Sequence, residues 1–226
     1  MDIELFVNDL CPYCQRVVIT ARHLNIAHRA TPINLASRPA WLSEVSPQST
    51  VPALRADGVA IFDSSVINEL FNDLAQGGML PADPVDKGVC RAWINHSGQC
   101  QSLFTQCCLA QDAAAFEIAR KGLIDTLNAF EQGPLQRGAR GFDGADLSLV
   151  DVAMAPLFTR IAHLEGQVTL WPETGLERVR AWSDRLREKA VVRESVPEKF
   201  APMFRMFLKN RAAGGHVATR MNVGAD

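Results

Sequence analysis

Short alternations of apolar and polar residues dominate the first third of the chain. Residues 3–8 place Ile3, Leu5 and Val7 on one face, which predicts a strand. Residues 12–25 switch to helical spacing, with Cys14, Val17, Val18 and Ala21 on one stripe. A second strand is predicted over 28–34, and a short helix over 39–45 around Trp41 and Leu42. Two further strands, 53–55 and 59–61, flank the turn residues Ala56-Asp57-Gly58. Residues 64–74 then repeat apolar side chains at Val66, Ile67, Leu70 and Leu74, a helical face. The order β-α-β-α-β-β-α predicts an α/β layer built on a small mixed sheet.

Residues 77–86, GGMLPADPVD, interrupt this pattern with two glycines and two prolines and mark a linker. Beyond it, helical periodicity runs over 85–110, 112–132, 148–164, 174–188 and 197–208, and no strand pattern returns. The expected organisation is an α/β domain over 1–76, the linker, an all-helical domain over 87–208 and a Gly/Ala-rich tail over 209–226. That tail is expected to be mobile or draped over the surface.

Composition changes the picture mainly by exclusion. Of 226 residues 47% are apolar, enough for a full core in each of two domains. Lys and Arg (23) nearly balance Asp and Glu (25), leaving no basic footprint for nucleic acid and no polybasic membrane patch. No apolar run approaches the ~20 residues of a bilayer span. The start, MDIELFVNDL, lacks a signal-peptide pattern, so a cytoplasmic protein is expected. All six cysteines lie in the first half, unlike a disulfide framework, and reduced thiols are expected.

Two of those cysteines form the sequence Cys11-Pro12-Tyr13-Cys14, at the point where the first strand hands over to the first helix. In an α/β layer that context gives a Cys-x-x-Cys pair redox meaning. Cys11 falls at the N-cap and Pro12 at the first helical position, where its missing N–H costs nothing. Free backbone N–H groups and the positive helix end favour a thiolate at Cys11, below the ~8.5 of a free thiol. Cys14, one turn in, shares a stripe with Val17, Val18 and Ala21 and is expected to be the buried, less reactive thiol. The competing reading is half of a zinc site. Zinc needs two further ligands at suitable spacing, and no second Cys-x-x-Cys occurs, so no metal is expected.

Two other features point to a ligand. Pro52 of Val51-Pro52 opens the third strand; a cis bond there would bend the chain and present the polar backbone of Val51 beside Cys11. An ordinary trans proline at a strand's first residue is the alternative. Asp63-Ser64-Ser65 opens the third helix, and the tripeptide alone reads first as an N-cap. Its sharper reading is an anion cradle, in which helix-end N–H groups and Ser64 bind a carboxylate while Asp63 pairs an ammonium. A ligand with adjacent amine and carboxylate groups and a thiol reaching Cys11 satisfies all three features. Glutathione is such a ligand.

The set Cys11-Pro12-Tyr13-Cys14-Gln15-Arg16, Asn34-Leu35, Arg38-Pro39-Ala40-Trp41, Thr50-Val51-Pro52-Ala53-Leu54 and Asp63-Ser64-Ser65 resembles cysteine-type glutathione transferases, especially the omega-like class. The resemblance implies a thioredoxin-like domain followed by an all-α domain, usually as a homodimer. It implies that Cys11 forms a mixed disulfide with glutathione and that Val51 pairs with the glutathione backbone beside a cis Pro52. Asp63 and Ser64 would hold the γ-glutamyl end, Arg38 would sit near the glycyl carboxylate, and Tyr13 and Leu35 would complete the binding set. Two departures stand out: Asp63 replaces a more usual Glu, and Cys14 is a glutaredoxin trait, which leaves open a cycle with one thiol or two.

In the helical half, Ser148 and Asp151 read as an N-terminal capping box, with Leu147 and Val152 as its apolar staple. Trp93, His96, Cys100, Phe104 and Cys107 recur along one helix face and read first as core. The resemblance sets that helix beside a second-substrate pocket. The leading expectation is a glutathione-dependent thiol transferase or reductase acting on small electrophilic, glutathionylated or disulfide substrates, including dehydroascorbate-type reduction. The alternatives are a conventional glutathione-conjugating transferase and a non-enzymatic interaction protein on the same fold.

Overall fold

The computed structural model describes residues 1–142 and 144–221; residues 222–226 of the expected tail lie outside them. The first half follows the anticipated order: β1 (Ile3–Val7), α1 (Pro12–His23), β2 (Arg29–Pro32), α2 (Leu42–Val45), β3 (Ala53–Ala56), β4 (Val59–Phe62) and α3 (Ser64–Leu74). The sheet order is β2-β1-β3-β4, with β1 parallel to β2 and β3 antiparallel to both its neighbours. Strand β1 is therefore interior. Its partner register sets Leu5 opposite Leu54, and both are fully buried. Phe6, on the opposite face of the alternation, is equally buried because its ring meets Trp41 at 4.9 Å beneath α2.

Helix α1 is buried around most of its circumference. It packs on the sheet and α3 and also against helices of the second half, so Gln15, Arg16 and Thr20 are buried with Cys14, Val17 and Ala21. In α3 the inward face differs from the one expected. Ile67 and Phe71 are fully buried with Ser64, Asn68 and Asn72 beside them, whereas Val66 and Leu74 face outward. Apolar spacing alone weighted Val66 and Leu74, and missed that small and amide side chains fill the interior positions.

The helical half comprises α4 (Pro84–Leu109), α5 (Ala113–Phe130), α6 (Leu149–Ala162), α7 (Glu177–Glu188), α8 (Ala190–Arg193) and α9 (Phe200–Arg211). Helix α4 starts inside the stretch read as linker, because Asp83 accepts from the amides of Val85 (2.9 Å) and Asp86 (3.0 Å) and Pro84 takes the first helical position. The α6 capping box is present. The Ser148 amide donates to Asp151 Oδ2 (2.8 Å) and the Asp151 amide donates to Ser148 Oγ (3.1 Å). Asp151 Oδ1 also accepts from the indole N–H of fully buried Trp182 (2.6 Å), which ties the start of α6 to α7. A π turn at Glu131–Leu135 carries a second buried carboxylate. Glu131 accepts from the amides of Arg178 (3.2 Å) and Val179 (2.9 Å), capping α7 where its own N-cap, Leu176, has no side-chain acceptor.

The C-terminal segment departs from expectation. Helix α9 runs on to Arg211, and Ala212, Val217, Ala218 and Met221 are buried rather than draped over the surface. The Ala110 carbonyl anchors the segment by accepting from the His216 amide at 2.9 Å. Among the described residues no helix is long and apolar enough to cross a membrane.

Replacing Asp151 by Ala removes the acceptor of the Ser148 amide, one half of the α6 capping box, and leaves the Trp182 indole N–H buried without its acceptor. Asp151→Ala is expected to lower the unfolding free energy by about 3 kcal/mol in urea denaturation. Cys11 alkylation at neutral pH should be unchanged.

Candidate active site

The turn from β1 into α1 is shaped by one side chain. Asn8 Oδ1 accepts from the Leu10 amide (3.1 Å), Asn8 Nδ2 donates to the Ile33 carbonyl (3.0 Å), and the Asn8 carbonyl accepts from the Cys11 amide (3.0 Å). This Asx turn delivers Cys11 to the N-cap with extended backbone, followed by Pro12 at the first helical position. The Cys11 carbonyl accepts from the Gln15 amide (3.1 Å), starting the helix.

The two thiols of the motif occupy opposite environments. Cys11 is half-buried, and as a thiol it donates to the Val51 carbonyl at 3.5 Å. Its ionised form is favoured first by the Cys14 thiol, then by the amides of Cys14 and Tyr13 and by the Arg160 charge. Against the opposing effect of burial, these bring its pKa down to about 7. Cys14 is 1% exposed beneath it, and its sulfur accepts from the Asn8 amide at 3.3 Å. Burial, reinforced by the neighbouring Cys11, pushes the Cys14 thiol well above the usual range. Near neutrality Cys11 is therefore the nucleophile of the pair.

The Val51-Pro52 bond is cis, and the Val51 carbonyl lies beside Cys11. Asp63 takes the first of the two roles its tripeptide offered. It is the α3 N-cap, with Oδ1 accepting from the amides of Ser65 (2.8 Å) and Val66 (3.3 Å). Its φ of 73° lies in the left-handed region, which for a non-glycine residue costs roughly 1–3 kcal/mol. Its charge also reaches Arg16 on α1. Ser64 is buried behind it. Arg38, on the loop after Leu35, donates to the carbonyls of Leu35 (3.4 Å) and Ser49 (3.1 Å) and so links the two loops that flank Val51.

Cys11, Tyr13 and Leu35 line one cavity of about 700 Å³. Cys14, Arg38, Val51, Pro52, Asp63 and Ser64 are not part of its wall. The opposite wall comes from the helical half: Phe104, Cys108 and Leu109 of α4, Arg160 of α6, and Phe204, Phe207 and Leu208 of α9. Of the predicted α4 stripe only Phe104 reaches it. His96 packs at ring distances of 5.2 Å from Trp93 and 5.5 Å from Phe130, away from the cavity wall. Arg160 and the α9 aromatics escaped sequence reasoning. For Arg160 a signal existed: it is the one charged residue in a run from Val152 to Ala162 that is apolar apart from Thr159. Among the described residues no group of three or more His, Cys, Asp or Glu side chains is arranged to hold a metal ion.

Residues 10–74 match the glutathione S-transferase N-terminal domain family, and residues 112–185 match the glutathione S-transferase C-terminal domain family. The chain is 25% identical to glutathione S-transferase omega-1 of Sus scrofa over 165 residues, 72% of this chain and 68% of that protein. It is 26% identical to glutathione S-transferase DHAR2 of Arabidopsis thaliana over 155 residues, 69% of this chain and 67% of that protein. The crystal structure of glutathione transferase Omega 3C from Trametes versicolor superposes with a TM-score of 0.76 at 26% identity, covering 88% of this chain and 90% of that one.

The rate of iodoacetamide alkylation at Cys11, followed by peptide mapping, is expected to rise with pH through an inflection near 7. Cys14 should stay unmodified over the same range. The depressed pKa also stabilises the fold above the free-thiol range, and that contribution is lost as pH falls through about 7.

Proposed function

The chain belongs to the glutathione S-transferase family, with the cysteine-type, omega-like pattern, and on that premise we propose that it is a glutathione-dependent thiol transferase or reductase working through Cys11. The observation that carries this reading is a sulfur ionisable near neutrality, at a helix N-terminus, opening onto a cavity walled by both halves of the molecule. A conjugating transferase stabilises the glutathione thiolate without reacting with it; a nucleophilic sulfur in that position favours exchange instead.

In the first step the Cys11 thiolate attacks the glutathione sulfur of a glutathionylated substrate. The Cys11–glutathione disulfide forms, the substrate–glutathione bond breaks, and the substrate leaves as its thiolate. A second glutathione thiolate then attacks the glutathione sulfur of that mixed disulfide, releasing Cys11 and forming oxidised glutathione. The buried, high-pKa Cys14 supports this one-thiol cycle over one in which Cys14 resolves the intermediate. The same nucleophile serves dehydroascorbate-type reduction.

In this reading the glutathione backbone pairs with Val51 beside Pro52, and its γ-glutamyl ammonium meets Asp63 while the adjacent carboxylate meets Ser64 and the first amides of α3. Arg38 faces the glycyl carboxylate, and Tyr13 and Leu35 flank the thiol end. The second substrate lies against the apolar wall of α4 and α9. We assign the protein to the cytoplasm, in line with its reduced thiols. A homodimer is supported by the exposed apolar side chains of Phe62 on β4, Val66 on α3, and Val85 and Val89 on α4, with α3 and α4 tied by the Glu69–Arg91 ion pair.

Reduction of hydroxyethyl disulfide with glutathione, and mass spectrometry of the Cys11–glutathione adduct, test the reading. Cys11→Ser should abolish turnover and adduct, while Cys14→Ser should retain most of the rate. Asp63→Asn keeps the helix cap but removes the charge, so the KM for glutathione should rise by about tenfold or more at unchanged Cys11 alkylation. Turnover that survives Cys11→Ser would refute the mechanism.

A further inference from the structure

Arg160 is a cation buried in apolar surroundings. It is 2% exposed on α6, and its guanidinium lies 5.2 Å from the Phe200 ring centroid. It donates to the Pro156 carbonyl (2.9 Å), to Gln15 Oε1 (2.5 Å) and to the Leu10 carbonyl (2.9 Å). All three acceptors are neutral, and among the described residues no carboxylate pairs with it. A buried charge left without a counter-ion is strongly unfavourable, and an apolar residue would serve packing better at this position.

The missing anion is close by. Arg160 and Cys11 line the same cavity, and the Leu10 carbonyl gripped by Arg160 belongs to the peptide unit that leads into Cys11. The charge that acts most strongly on Arg160 is that of Cys11. We propose that Arg160 is a positioning residue for the nucleophile: it fixes the Leu10–Cys11 peptide and acts as counter-charge to the Cys11 thiolate. The helical half thereby adds to the control that α1 itself exerts over the sulfur.

This inference rests on the reading of Cys11 as the nucleophile. It adds a consequence for turnover. When Cys11 becomes a neutral mixed disulfide, Arg160 loses its counter-charge, and when glutathione attacks that disulfide the departing Cys11 thiolate restores it. The guanidinium therefore favours Cys11 as leaving group and opposes accumulation of the mixed disulfide.

The other charged or titratable groups around the sulfur are Tyr13, Cys14 and Arg16 of α1 and Cys108 of α4, with Asp63 of α3 acting on Arg16. Burial holds both Cys14 and Cys108 well above the usual thiol range. Both stay protonated near neutrality and supply no competing thiolate.

The test uses the full-length reduced protein and reads the pH dependence of iodoacetamide alkylation at Cys11 by peptide mapping. Arg160→Met should raise the Cys11 inflection by about one unit, leaving roughly tenfold less thiolate at mildly acid pH. It should also let the Cys11–glutathione adduct build up during turnover. Arg160→Lys, which keeps the charge and loses the planar fork, should hold the inflection within about half a unit of the unmodified protein. A folded Arg160→Met protein with the inflection unmoved overturns the inference and leaves the Cys11 mechanism standing. An inflection of the unmodified protein at the free-thiol value overturns both. If Arg160→Met does not fold, Arg160→Lys decides: a retained inflection supports the counter-charge, and a free-thiol value refutes it.

Discussion

Helix α1 meets two opposed demands along its length, and the remainder of the molecule is arranged around that conflict. Its first turn must leave backbone N–H groups free to face a sulfur anion, while its later turns are enclosed by the sheet, α3 and α6. Enclosure puts polar side chains into dry surroundings, and most of their polar atoms are matched, Arg16 Nε being the exception. Gln15 Nε2 donates to Thr159 Oγ1 (3.3 Å) and Ser195 Oγ (3.0 Å), Arg16 donates to Ser97 Oγ (3.0 Å), and Thr20 donates to the Arg16 carbonyl (3.2 Å). The first three bonds cross from one half of the chain to the other. The boundary between the halves thus carries a hydrogen-bonded seam beside the apolar contact of Ile19 with the helical core, which fixes direction as well as proximity.

Much of the first half was legible in the sequence because its signals are local. Period-two alternation marked β1, the Ala56-Asp57-Gly58 turn marked the hairpin, and Cys11-Pro12 marked the start of α1 with a specific reason for each residue. Ser148 and Asp151 likewise announced α6, since a capping box is contained within four residues. What stayed hidden depends on partners distant in the chain. The cap of α7 is Glu131, a residue no local window connects to Leu176. The inward face of α3 is set by what α1 and the sheet leave room for, so Asn68 is inside and Val66 outside. That α9 forms part of the cavity wall, and that Arg160 of α6 reaches the same cavity as Cys11, depends on helices converging from distant parts of the chain.

The contrast between Cys11 and Cys14 shows how little of a residue's chemistry belongs to its type. Three positions apart on one helix, one thiol is drawn down to about 7 and the other is driven well above the usual range. Helix geometry accounts for the split. A three-residue step carries Cys14 under the first turn, where the Asn8 amide and the apolar core surround it, while Cys11 stays at the open end. Asp63 offers a parallel lesson: its helix-capping bonds and its φ of 73° coexist, so one carboxylate can both begin α3 and remain oriented toward α1.

The sulfur and most of the facing cavity wall lie on separate stretches of polypeptide. The sulfur and its flanking amides belong to α1, whereas Phe204, Phe207 and Leu208 of α9 form much of the facing wall, with Phe207 partly open to solvent. A change along α9 alters the shape of that wall without touching the sulfur. The shape of the cavity and the environment of the sulfur can therefore vary independently, because they are written in segments nearly two hundred residues apart in the chain.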